Sequence, residues 1–448
     1  MKIKLSDHFT VRRLLRFTFP SMLMMVFTSV YSVVDGFFVS NYAGKTAFAA
    51  VNLIMPVLMV MSTFGLLLGT GGTSLVARTL GEGDRARANR YFSLFVYTAL
   101  ILGSAMALAG IACMRPLARF LGAEGALLEN SVLYGRLILT TLPFMMLQMM
   151  FHSFFVAAEK PQLGFAVTVL SGVMNIVLDA VLVPVFPEDA KLIAAAVATC
   201  VSQLTGGAVP LMYFARKNDS LLRLGKTRFD ASALRDAAVN GSSEFMTNIS
   251  ISLISLLYNA QLMRYAGENG IAAYGVMMYV SMIFTAVFVG YSMGVSPVVG
   301  YHYGGGNRAE LKSLLQKSLA VVAVAGVTMV IAAQCMATPL ARFFVGYDAE
   351  LCALTESGFR IFALAFGFTG FGIFVSGFFT ALGDGLTSAV ISFVRVMVFE
   401  AGAVLLLPRV LGISGIFGAI VLSECLSLLL GTLLLFLKRK RFGYWNAA

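Results

Sequence analysis

Pro116-Leu117-Ala118-Arg119-Phe120 recurs unchanged as Pro339-Leu340-Ala341-Arg342-Phe343, 223 residues later. At the same offset Tyr42-Ala43-Gly44 meets Tyr265-Ala266-Gly267, and Ala49-Ala50 meets Ala272-Ala273. Gly71 meets Gly294, while Gly81, Gly83, Arg85 and Ala86 meet Gly304, Gly306, Arg308 and Ala309. Past small gaps, Phe154-Phe155 pairs with Phe378-Phe379, and Cys200, Ser202 and Gly206 pair with Cys425, Ser427 and Gly431. Composition bias matches scattered Ala and Gly; it does not repeat a five-residue run in register with all the others. The chain is an internal duplication.

What was duplicated follows from hydropathy. Of 448 residues, 58% are hydrophobic and 12% charged, with mean hydropathy +0.85, a balance that no soluble surface of this size could cover with polar groups. Repeated apolar stretches of about twenty residues read as membrane-spanning helices. They fall at 15–39, 47–76, 91–113, 131–157, 161–186, 192–214, 236–264, 270–299, 315–337, 354–381, 386–407 and 412–437. The expected fold is an all-α integral membrane protein of twelve transmembrane helices in two pseudo-symmetric six-helix bundles. Residues 1–214 form the N-terminal lobe, 215–235 a basic linker (Arg216, Lys217, Arg223, Lys226, Arg228, Arg235) and 236–448 the C-terminal lobe. Six is even, so both halves enter the membrane from one side, and a path between them runs along the pseudo-two-fold axis. No cleavable leader is expected, because the first apolar run is too long for one.

Most of the 33 Lys and Arg fall in the segments that are cytoplasmic if the N-terminus is, which places both termini in the cytoplasm of a bacterial or archaeal cell. The net charge of +11 is therefore a topology signal, and no nucleic-acid partner is expected. The glycine-rich Gly81–Ala86 and Gly304–Ala309 segments lack the Lys-Ser/Thr of a phosphate loop and read as turns. Cys113, Cys200, Cys335, Cys352 and Cys425 lie in or beside spans with no CxxC pairing, as small packing residues. His8, His152 and His302 form no metal-ligand spacing, and no nucleophile–base arrangement stands out, so no enzyme is expected.

The informative residues are charges in the hydrocarbon, where an ionised side chain is costly unless it faces a cavity or a partner. Asp35 in span 1 and Asp179 in span 5 both lie about 8–10 Å in from the outer ends of their helices. Thr199 in span 6 shares that level, and Asn175 stands one turn from Asp179 on the same face. These four should converge on one polar pocket. Two carboxylates, an amide oxygen and a hydroxyl suit either Na⁺ or a shared proton; polar contact between helices is the plain alternative. Carrying the pocket across the duplication puts Asn259 beside the image of Asp35, Glu400 on Asn175 and Glu424 on Thr199, a second polar cluster with its acids on other helices. Glu244 lies about 12 Å in from the inner end of span 7, at the depth of Arg395 in span 11, which marks either a buried ion pair or a cavity-facing acid. Gln148 and His152, one turn apart amid Met and Phe, are candidates for a cavity edge that takes lipophilic cations.

The chain resembles the multidrug and toxic compound extrusion (MATE) family over nearly its whole length. The resemblance rests on Val33-Val34-Asp35-Gly36-Phe37-Phe38-Val39, on Asn175 with Asp179 and on Ala195-Ala196-Val197-Ala198-Thr199. Glu244 and Ser296-Pro297-Val298-Val299-Gly300 add to it. It implies an antiporter that exports lipophilic, cationic drugs or toxic metabolites against Na⁺ or H⁺ by alternating access, with no other cofactor. It also implies that Asp35, Asn175, Asp179 and Thr199 line the cation site. Some members use acids in spans 7 and 10, but span 10 here holds only Glu356 at its rim, so a C-lobe coupling site of that kind is not expected. Some relatives bend span 1 on protonation, a role Pro20 would serve here. A lipid-linked oligosaccharide flippase is the nearest rival, but only Arg136, Arg360 and Arg395 lie within spans, too few for a pyrophosphate cavity. The expected partners are a small lipophilic substrate and membrane lipids, around a monomer.

Overall fold

The computed structural model describes residues 3–42, 45–187 and 190–445. The repeated Ala43-Gly44 lies outside them, as does the stretch 188–189. The first half comprises α1 (Val11–Tyr42), α2 (Lys45–Gly81), α3 (Arg85–Phe120), α4 (Gly125–Leu139), α5 (Leu142–Ala157), α6 (Pro161–Val185) and α7 (Lys191–Ala215). The second comprises α8 (Ala231–Gly304), α9 (Arg308–Val345), α10 (Ala349–Phe362), α11 (Phe366–Ala381) and α12 (Gly385–Phe393). It ends with a π-helical segment (Val394–Glu400), α13 (Ala401–Leu406), α14 (Pro408–Leu411) and α15 (Ile413–Phe442).

Ten of these helices, with α10 and α11 joined, and α12 to α14 likewise, are long and apolar enough to cross a bilayer. Two further crossings are hidden by local geometry. At 74 residues α8 would reach about 110 Å if straight, several times the thickness of a hydrocarbon core. It folds back at Gly267, whose φ of 58° and ψ of −145° suit only a residue without Cβ. Tyr258 and Tyr274, on its two arms, stack with ring centroids 4.6 Å apart. The other hidden crossing joins α4 and α5 at a 57° bend, where the sequence implies a single straight span over 131–157. Thr140 and Thr141 turn their hydroxyls back onto the carbonyls of Leu137 and Ile138, and Pro143 removes a backbone donor in the next turn. Twelve crossings result among the described residues.

Most helices outrun their apolar stretches. Thus α3 starts at Arg85 and not at 91, because Asp84 caps it by accepting from the Arg87 amide. Asn307 does the same for α9, accepting from the Glu310 amide. The duplicated turns therefore share their caps, and they share their left-handed glycines, Gly83 (φ 88°) and Gly306 (φ 69°). The sequence Gly81–Ala86 is a capped turn and not a nucleotide cradle.

Each half holds its own apolar clusters, one around Ile54, Met114 and Leu142, another around Tyr258, Met277 and Phe417. The halves meet where α2 crosses α8 at backbone contact. A Cβ on Gly71 would lie 1.9 Å from the Ala237 oxygen, and one on Gly241 would lie 2.1 Å from that of Leu67. Nearer the turns, Gly81 approaches the Tyr301 oxygen and Gly304 that of Arg78, each at 2.0 Å for an added Cβ. Close approach of small residues is how helices associate without a hydrophobic drive from lipid. Outward-facing side chains such as Ile101 and Leu108 stay exposed, as lipid requires.

The described N- and C-terminal segments and the linker lie on one face of the molecule, hereafter the basal face. The N-terminal segment laces the halves together there. The Leu5 amide donates to Glu159 at 2.7 Å, after α5, while the Phe9 amide and the His8 ring engage Glu310 at the start of α9. Arg308 donates to the Phe442 carbonyl, which docks the C-terminal end of α15 beside the same turn.

Candidate functional site

In the first half, α1, α6 and α7 bring Asp35, Asn175, Asp179 and Thr199 together. Gly172 makes the approach of α1 possible, since a Cβ there would meet the Phe27 ring at 2.5 Å and the Tyr31 ring at 2.9 Å. Helices α6 and α7 are clasped by a reciprocal pair of bonds. Ser171 Oγ donates to the Ser202 carbonyl (2.8 Å), and Ser202 Oγ donates to that of Ser171 (2.9 Å). The clasp sits one turn below Asn175 and Thr199, so it fixes the height and rotation of both.

Above it, Asn175 Nδ2 donates to Asp35 Oδ1 at 3.3 Å, and Asp179 and Thr199 stand within reach of the same carboxylate. Thr199 Oγ1 spends its proton on the Ala195 carbonyl, which leaves oxygen lone pairs toward the pocket. Asp179 is fully buried and both its carboxylate oxygens lack a hydrogen-bond partner, as does Asn175 Oδ1. Three buried oxygens with no donor beside a second carboxylate make a site of strong negative potential. Tyr31, one turn before Asp35, and Tyr134 of α4 stand in the field of these acids. The i−4 spacing of Tyr31 was available in the sequence; Tyr134 carries no such mark.

Gln148 and His152 line a tight crevice with no room for a water molecule. They are buried between α5, α6 and α7, Gln148 Nε2 donating to Ser171 Oγ and His152 facing Thr168. They reach no substrate-sized space here, because an apolar, Met-rich helix at the centre of a bundle buries its few polar groups against its neighbours.

In the second half, the expected Glu244–Arg395 pair is replaced by another. Arg395 donates through Nε (3.1 Å) and Nη2 (2.6 Å) to Glu424 Oε1 on α15, and Ser423 Oγ donates to the Arg395 carbonyl (2.7 Å). Glu244 makes no ion pair among the described residues. Depth alone misassigns the partner, because the π-helical segment that carries Arg395 rotates it toward α15. Glu400, at the end of that segment, accepts from the Tyr258 hydroxyl at 3.1 Å. Asn259 is exposed and does not line the cavity around Glu400; the neighbour that reaches Glu400 is one residue earlier. Glu400, Glu424 and Arg395 line a cavity of about 710 Å³, and Met25, Thr28 and Ser29 of α1 close one side of it. Helix α1 thus lines both places, with Asp35 in the pocket and Thr28 on the cavity wall.

Among the described residues no three His, Cys, Asp or Glu side chains gather in a metal-binding cluster. All five cysteines are free. The MatE family model matches the chain twice, over residues 20–181 and 245–404. The chain belongs to the MatE family.

Each match falls in one copy of the duplication. This MatE chain is 23% identical to the multidrug export protein MepA of Staphylococcus saprophyticus over 96% of its own length and 94% of that relative's, and 23% identical to MepA of Staphylococcus haemolyticus with the same coverage. Among solved structures it superposes on a MATE protein in complex with MaL6 with a TM-score of 0.91 at 22% identity, covering 97% of this chain and 98% of that one. It matches the outward-facing conformation of a multidrug resistance MATE transporter of the MOP superfamily equally well (TM-score 0.91, 22% identity, 97% of each chain). The fold is thereby a MATE fold, and the family is one of membrane transporters, not enzymes.

Proposed function

We propose that this MatE transporter is an antiporter that exports lipophilic cationic compounds in exchange for inward Na⁺ or H⁺. The observation that carries the reading is Asp179, fully buried beside Asp35 with neither carboxylate oxygen partnered. A carboxylate in that position needs a positive charge, and a coupling ion supplies one reversibly. A proton would sit on either carboxylate of the pair. For Na⁺, the donors are hard oxygens: those of Asp179 and Asp35, Asn175 Oδ1 and Thr199 Oγ1. The clasp beneath them holds the donors in place while ions come and go.

The lobes at 1–214 and 236–448, joined by the linker 215–235, would rock about the glycine contacts of α2 and α8 to expose the path to each side in turn. The excess of Lys and Arg on the basal face favours a cytoplasmic setting for both termini. The transporter works as a monomer in the bacterial cytoplasmic membrane in this reading. Purified protein in liposomes, given an imposed Na⁺ or H⁺ gradient, should move a cationic dye, and Asp35→Asn should not. Dye movement indifferent to both gradients would remove the antiport reading.

A further inference from the structure

The cavity of the second half carries a charge arrangement that sequence periodicity hides. Arg395 and Glu400 are five residues apart, which in an α-helix puts them about 140° apart around the axis. They instead lie within the π-helical segment Val394–Glu400, whose i→i+5 bonding brings residues five apart onto one side. Both side chains therefore line the same cavity.

The three charged groups are not equivalent. Glu424 is buried, with Oε1 taking both donors from Arg395 and Oε2 having no partner. Arg395 spends Nε and Nη2 on that one oxygen, and its Nη1 has no hydrogen-bond partner among the described residues. Glu400 is held by a neutral hydroxyl, that of Tyr258, and makes no ion pair among the described residues. Two acids and one base leave a formal charge of −1, concentrated on Glu400. The rest of the wall is apolar and polarizable, with Met278, Met282, Tyr274 and Phe366 facing the space. About 710 Å³ is the size of a small-molecule site and far too large for a bare ion.

We propose that this cavity is a subsite for a monovalent organic cation carrying a hydrogen-bond acceptor near its charge, the cationic centre on Glu400 and the acceptor on Nη1 of Arg395. A single positive charge brings the cluster to neutrality. An acceptor oxygen satisfies the guanidinium donors that Glu424 leaves unused, and the apolar body rests among methionine and aromatic side chains. An anion would meet Glu400 and the unpartnered oxygen of Glu424, and a dication would overshoot neutrality. The assignment rests on the export reading for its purpose, but not for its test, which needs no gradient.

Equilibrium binding to the purified transporter in detergent, at fixed pH, separates the parts. Three probes share a phenyl group: benzoylcholine, a phenylalkyl trimethylammonium of equal length without the ester, and the zwitterion made by placing a carboxylate on benzoylcholine. Benzoylcholine should bind about fivefold tighter than the alkyl analogue, and Glu400→Gln should weaken both cations at least about tenfold. Glu400→Asp, which keeps the charge, should restore part of the loss, and this guards against a folding defect in the Gln variant. The double variant Arg395→Gln/Glu424→Gln should keep cation binding and lose the ester preference. Glu400→Gln binding as tightly as the parent, a zwitterion that binds as well as benzoylcholine, or an ester preference that survives the double variant would each overturn the assignment. Asp35→Asn is the separate test of the antiport reading and is read in gradient-driven transport alone. If that variant transports normally, the antiport reading fails while the subsite stands.

Discussion

Arg395→Gln removes both donors from Glu424 Oε1 and leaves a carboxylate whose other oxygen already has no partner. The two side chains are only 18% and 3% exposed, so water cannot replace what is lost. Breaking one side of a buried pair costs about 3–5 kcal/mol, whereas neutralising both sides together is often nearly neutral. Glu424→Gln strands the guanidinium instead, at a cost of about 2–4 kcal/mol, since Arg395 keeps some access to the cavity. In Arg395→Gln/Glu424→Gln the two amides can bond each other, so most of the single losses should vanish. The resulting coupling is the sum of the single losses less the small loss of the double variant, about 4–8 kcal/mol. Unfolding in mixed micelles titrated with SDS, followed by far-ultraviolet circular dichroism, gives the four stabilities. A second cycle with Glu244→Gln and Arg395→Gln is the control, and its coupling should stay below about 0.5 kcal/mol. Additive losses in the first cycle, or a larger coupling in the second, would refute the pairing.

The pocket of the first half makes a sharper functional demand. Asp35→Asn and Asp179→Asn should each abolish gradient-driven dye transport in liposomes, while Glu400→Gln keeps part of it; equal loss from all three would mean that the halves do not divide their tasks. Gly71→Ala should force α2 and α8 apart, because its Cβ would lie 1.9 Å from a backbone oxygen. Spin-label distances across the basal face should then lengthen, and unchanged distances would mean that the crossing is not tight. Burial pushes the Glu159 carboxyl above the usual carboxylate range, despite the Leu5 amide it accepts. A group whose folded value is raised costs stability as pH climbs past its unfolded value toward the raised one. Amide exchange at Leu5, corrected for intrinsic rates, should therefore lose protection as pH rises from 4.5, and Glu159→Gln should remove that slope. A slope that persists in the variant would assign it to another group.

The duplication was legible because its strongest signals are local. Gly83 and Gly306 need left-handed backbone, and Asp84 and Asn307 need to cap, whatever the rest of the chain does. Asp35, Asn175 and Asp179 were legible because α1 and α6 keep regular α-helical spacing, so depth along the helix and rotation around it can both be counted. Regularity fails in the second half. No residue pattern announces the π-helical segment, so the depth of Arg395 was readable but its direction was not. The bend at Thr140–Thr141 is masked by unbroken apolar character on both sides. Near Glu400 the error was one residue, Asn259 for Tyr258, which on a helix is a turn of about 100°.

Helix α1 carries Asp35 at one end of a stretch and Thr28 about 10 Å below it, on the wall of the other half's cavity. Two occupants that never touch can thus act on a single rod. If each prefers a different shape of that rod, linkage requires the ion to change the affinity for the organic ligand by the same factor that the ligand changes the affinity for the ion. Exchange then needs no shared seat for the two, only a stiff length of helix between them. Softening that length would yield a transporter that binds both partners and couples neither.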